Sequence, residues 1–197
     1  MRFFNKTTDP ENLDNWHILM GALFATLLGI AAGLALFPNE ASIVGVFLVA
    51  FSEAVTVEAL LERNRREVWD PQGSPAAANR RMAFSMFMLF MGIFLAYVVA
   101  VQLAPWDDLD NWFDRQLGQF VGGSMRDVHF ADFGEILRRN SLVLLVSFLF
   151  ALFYRHGGML LVLAWNASRW GVIFSYIARV AAHDEDVFMP IYLMRTF

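Results

Sequence analysis

Met82-Ala-Phe-Ser-Met-Phe-Met-Leu-Phe-Met-Gly-Ile-Phe-Leu-Ala-Tyr-Val-Val-Ala-Val-Gln-Leu-Ala104 decides the fold. No charge interrupts it, and it exceeds the roughly 20 residues that a helix needs to cross about 30 Å of hydrocarbon. A barrel strand would alternate apolar and polar residues over about ten positions, whereas this stretch is apolar on every face. Lipid cannot satisfy free backbone groups, so a continuous helix is the form such a segment takes. Four more stretches extend the pattern. Residues 18–37 carry no charge, and 41–61 are uncharged up to Ser52, then carry Glu53 and Glu58. Residues 136–154 form a shorter apolar run behind a polar lead, and 157–182 are interrupted by Arg169 and Arg179. The expectation is an all-α polytopic membrane bundle of four to five transmembrane helices.

Composition agrees. The 197 residues are 57% hydrophobic and 17% charged, with mean hydropathy +0.46, net charge −4 and no Cys. Such a chain is too apolar for disorder or an ordinary soluble enzyme, and it lacks the basic balance of a nucleic-acid binder. The absence of Cys removes disulfide scaffolds, iron–sulfur clusters and thiolate metal sites. Residues 1–17 are polar and lack the basic start of a secretion signal, so the first span reads as retained.

The breaks organise the chain. Pro38-Asn39-Glu40 is a tight polar turn, residues 70–75 (Asp-Pro-Gln-Gly-Ser-Pro) punctuate the next loop, and Pro105-Trp106 closes the quoted span. The loop at 62–81 holds Arg63, Arg65, Arg66, Arg80 and Arg81 against both membrane ends. The positive-inside rule therefore places it, and the amino terminus, in the cytoplasm of a cell whose inner membrane the chain crosses. Residues 105–135 are then an acidic outer loop, and 183–197 an acidic tail. Within the outer loop, residues 108–121 place Leu109, Trp112, Phe113, Leu117, Phe120 and Val121 near helical spacing, which predicts a helix at the interface with Trp106 and Trp112 as anchors. It would either dock an outer partner or lie as a lid over the bundle.

Inside the spans, Gly21, Ala25, Gly29 and Gly33 recur every four residues, as do Gly92, Ala96 and Ala100. Small residues at this spacing let another helix approach closely, within the chain or between subunits. Glu53 and Arg169 lie near the middle of their spans. A charge there costs about 2.5–3.5 kcal/mol on insertion scales, so the two are expected to pair; an ion or proton path through Glu53 is the alternative. No nucleotide loop, nucleophile elbow or paired-His metal motif occurs. Chemistry is therefore not expected, and neither is a cofactor.

The carboxy-terminal third carries Phe133-Gly-Glu-Ile-Leu-Arg-Arg-Asn140, an aromatic-rich run to Tyr154, Gly157-Gly158, and a second apolar run through Asn166 to Gly171. This order resembles the stage II sporulation protein M family of bacterial and archaeal membrane proteins. Asn140, Phe148, Gly157, Asn166 and Gly171 are the matching positions. Ala167 stands where the family has Gly after the Asn, and the Gly usual in the preceding span is absent. The resemblance implies a non-enzymatic membrane component, similar to a scaffold within a larger complex. Read from the residues alone, Asn140 suits a helix cap, Gly157-Gly158 a reversal between helices, and Asn166 with Arg169 a polar helix break. The expected partners are the lipid bilayer and other membrane subunits, with no nucleic acid. The rival readings are a small oligomeric transporter or channel using Glu53, Asn166 and Arg169, and a cofactor-bearing subunit of an energy-converting complex.

Overall fold

The computed structural model describes residues 14–38, 40–117 and 156–184, with Gly134, Leu137, Arg138, Ser141, Leu145 and Leu149 as single helical positions. Among the described residues the chain is helical with no strand. In chain order come α1 (Asn15–Leu36), α2 (Ala41–Ser52), α3 (Ala54–Val68), α4 (Pro75–Leu103), α5 (Trp106–Leu117) and α6 (His156–Asp184). Helices α1, α4 and α6 are each long and apolar enough to cross a membrane, and the bent pair α2–α3 passes the same test as one unit. This makes a multi-pass membrane protein with three such helices, or four if the bent pair is one span. The expected span over 136–154 lies outside the described residues apart from its isolated helical positions, as do Asn140, Phe148 and the acidic tail beyond residue 184.

Local chemistry explains the ends. Ser74 caps α4, its hydroxyl accepting from the Ala77 N–H at 3.4 Å, and Pro75 occupies the first helical position, where no N–H is needed. Ahead of it Asp70 Oδ1 accepts from the Gln72 N–H at 3.0 Å, an Asx turn that folds the Pro- and Gly-containing loop. Helix α4 thus begins seven residues before the apolar run, and much of the expected loop at 62–81 is helix. The expected single span over 41–61 is likewise two helices meeting at 42°. Ser52 Oγ donates to the Val49 carbonyl at 3.0 Å, a back-bond of the kind that bends helices, and the break falls on the next residue, Glu53.

Close contacts fix the directions. Gly29 and Gly33 on α1 lie against Gly45 and Ala41 of α2, so these helices run antiparallel. Gly92 meets Leu19, and Ser85 Oγ donates to Asn15 Oδ1 at 2.9 Å, so α1 and α4 run parallel. Gly171 meets Phe94, while Arg179 reaches Val101 and Ala104, so α6 runs with α4 and crosses the whole bundle. Both ends of the molecule follow from this. The start of α6 sits at the α3 end, and its finish sits with α5 at the other.

The core is where the helices touch: Ile18 and Ala22 of α1, Val49 of α2, Leu89, Ile93, Ala96, Tyr97 and Val101 of α4, and Leu160, Ala164 and Val172 of α6. Large apolar side chains on the outer faces, including Phe24, Leu28, Phe51, Phe87 and Phe174, are exposed, as expected where lipid is the solvent. With no hydrophobic gain between helices in lipid, van der Waals fit and interhelical hydrogen bonds hold such a bundle. Both are present. Gln102 Nε2 donates to Ser175 Oγ at 2.5 Å, and Ser175 Oγ donates to the Val98 carbonyl at 3.2 Å, tying α6 to α4.

Candidate functional site

Two regions hold the polar groups on which a functional site could be built. The first is the break in α2–α3. Glu53 is 6% exposed, and the Thr56 hydroxyl on the first turn of α3 hydrogen-bonds its carboxyl. The expected pair with Arg169 does not form: among the described residues no ion pair joins them. Helices α2 and α6 do pack together. A local hydroxyl serves the carboxyl instead, from Thr56 three residues on in the first turn of α3.

The expected polar break in the last span is also absent. Helix α6 runs unbroken through Trp165–Gly171, and Asn166 Nδ2 donates to the Val162 carbonyl at 2.8 Å within its own helix, so no carbonyl is freed. Asn166 is exposed, while Ala167 and Ser168 beside it are fully buried. Gly171 is there for packing, since a Cβ would come within 2.7 Å of the Phe94 carbonyl oxygen. Gly157 and Gly158, expected to form a reversal, lie in the first turn of α6. Asn166 and Arg169 thus lie one turn apart on the same unbroken helix, and among the described residues no hydrogen bond or ion pair joins either to Glu53.

The second region is the end of the bundle under α5. Leu109, Phe113 and Leu117 project into the core, each under 3% exposed, and Trp112 packs against the same cluster. Phe113 meets Tyr97 edge-on, ring centres 6.3 Å apart. Beside them is a buried polar node. The Tyr97 hydroxyl donates to the Ser42 carbonyl at 2.9 Å, and Ser42 Oγ donates to Gln116 Oε1 at 2.6 Å. At the rim Arg115 forms a two-pronged bridge to Glu40, at 2.8 and 3.2 Å. The guanidinium holds the Glu40 carboxyl below the usual carboxylate range. Arg179 of α6 donates to the Val101 and Ala104 carbonyls at 2.5 and 2.8 Å, closing the end of α4, and its guanidinium lies 4.2 Å from the centre of the Trp106 ring.

The outward side of α5 is acidic: Asp107, Asp110 and Asp114 are exposed. A helical segment occupies Trp106–Leu117, kinked at Phe113 and seated on α2 and α6; residues 118–121 of the helix expected over 108–121 lie outside the described residues. Sequence reasoning did not find Ser42, Tyr97, Gln116, Glu40 or Arg179. A tyrosine in mid-span and an arginine one turn from a span end were the available signals.

The small-residue rows divide. Gly29, Gly33, Gly92 and Ala96 are buried in contacts within the chain, Ala25 and Ala100 are half-buried, and Gly21 has no atom within 4 Å of where its Cβ would stand. Among the described residues no group of His and acidic side chains is placed to hold a metal ion. No protein-family model, curated protein or solved structure matches the chain.

Proposed function

We propose that this protein is a structural or assembly subunit of a larger complex in a bacterial inner membrane, with its amino terminus in the cytoplasm. The observation that carries this reading is α5, a short helix locked onto the bundle end with its acidic side turned outward. Three buried apolar side chains and the Arg115–Glu40 bridge hold it, so a partner meets an ordered face and does not have to order it. Asp107, Asp110 and Asp114 suit a basic partner surface. Arg63, Arg65 and Arg66 near the end of α3 and Arg80 and Arg81 near the start of α4 support the orientation, which leaves α5 on the outer side. The likeness of residues 133–171 to the stage II sporulation protein M family supports the same class of role.

The test is to solubilise the protein gently, purify it and identify what travels with it. Foreign subunits in fixed ratio, lost when the three aspartates become lysines, support the assembly role. A homo-oligomer that binds a small ion or solute supports a transporter instead. The buried Glu53 carboxyl at the break of a bent span is the feature that favours this second reading.

A further inference from the structure

Two cavities lie along the junction of α2–α3 with the start of α6, and His156 lines both. One, of about 440 Å³, is apolar: Phe47, Ala50, Phe51 and Ala54 face Leu161 across it. The other, an open groove of about 630 Å³, continues along α3 and is lined by Val55, Glu58, Glu62, Arg65 and Arg66. The series runs from greasy residues at the helix break to charged residues at the helix end, over about 12 Å of helix between Ala54 and Glu62. An occupant that fits both halves is itself greasy at one end and charged at the other.

The charges on the groove wall say which kind. Glu62 takes hydrogen bonds from Arg65 and Arg66 together, so one carboxylate is shared by two guanidinium groups. The trio keeps one net positive charge and, with five N–H donors on each guanidinium, has donors to spare. Both Arg side chains are about two-thirds exposed, at 69% and 65%. Glu58, one turn earlier on the same face, makes no hydrogen bond or ion pair among the described residues and is exposed to the groove. The wall thus offers one unsatisfied positive site and one unsatisfied negative site, about 10 Å apart along the helix and within reach of long side chains.

We infer that this junction binds a phospholipid with a zwitterionic primary-amine headgroup, phosphatidylethanolamine in chemical terms. The phosphate would sit on Arg65 and Arg66, the ammonium on Glu58, and an acyl chain in the cavity beside Leu161. A purely anionic lipid leaves Glu58 facing a negative charge. A choline lipid supplies a cation that has no N–H to donate to the carboxylate. The inference is independent of which partners the protein assembles with.

The experiment titrates the purified full chain in mild detergent with ethanolamine, glycerol and choline phospholipids of identical acyl chains, and counts bound lipid by native mass spectrometry. The expected result is one tightly held ethanolamine lipid, retained about tenfold better than the other two, the scale of one charge-assisted hydrogen bond. Glu58→Gln removes that preference without weakening the glycerol lipid. Removing both Arg65 and Arg66 side chains weakens all three, and Leu161→Trp fills the apolar half and excludes all three. Glycerophosphoethanolamine, which has the headgroup and no tail, competes poorly. Equal retention of the three lipids by the unaltered protein overturns the proposal, as does an unchanged preference in a folded Glu58→Gln variant. Competition by the tail-free headgroup as strong as that of the whole lipid overturns it too.

Discussion

Gly92 and Gly21 are both spaced to belong to small-residue rows, yet their surroundings set opposite rules for substitution. A Cβ at Gly92 would stand 2.4 Å from the Leu19 carbonyl oxygen and 2.8 Å from the Ala22 Cβ, and neither backbone nor methyl yields without moving a helix. Gly92→Ala is expected to destabilise the bundle by about 1–3 kcal/mol, the usual scale of overpacking. Gly21→Ala, with open space around it, should leave thermal stability in detergent unchanged or slightly raised. If Gly21→Ala proves the more damaging of the two, that face packs against another chain. Glu53 and Arg169 form a second residue-scale case. Since no bridge joins them, exchanging their charges in a double variant should not rescue the assembly defect of Glu53→Arg alone. Recovery in the double variant, read as the yield of monodisperse protein, would contradict the separation seen here.

Among elements, α5 is one that depends on its surroundings. It has only 12 residues, about the length at which an isolated helix is marginal, and it is held by what it packs on. One of its ties titrates. The Glu40 carboxyl is held below its ordinary value by Arg115, so its contribution is fully present above the unfolded carboxylate range near about 4.3 and is lost as pH falls through the lower folded value. Backbone hydrogen exchange in α5, corrected for its intrinsic pH dependence, should therefore rise relative to α4 as pH is taken from 6 toward about 3, through the carboxylate range. In Glu40→Gln the exchange of α5 should be raised at neutral pH and lose that acid-dependent step. An acid step that persists undiminished in the variant would assign the tie to another group.

For the whole molecule, parallel α1, α4 and α6 put the α3–α4 turn at one end and α5 at the other. The chain has no Cys, so single introduced thiols report sidedness without background. A cysteine at Asp110 should react with an impermeant reagent added to intact spheroplasts, and one at Gly73 only after the membrane is opened. The reverse pattern would invert the proposed orientation while leaving the bundle unchanged.

Read without coordinates, the chain already specified a helical membrane protein. Long uncharged runs leave the backbone no other way to satisfy its hydrogen bonds in lipid. Hydropathy sees only the average polarity of a window, so it could not see the break at Glu53, the early start of α4 at Pro75, or the continuity of α6 through Asn166. Those depend on single hydrogen bonds: Ser52 to Val49, Ser74 with the Ala77 N–H, and Asn166 to Val162. The pairing of distant groups was less visible still. Arg179 with the end of α4, Arg115 with Glu40, and Ser42 with Gln116 are joined across some 75 positions of chain, where spacing carries no information and only the packed arrangement of helices brings the partners within bonding distance.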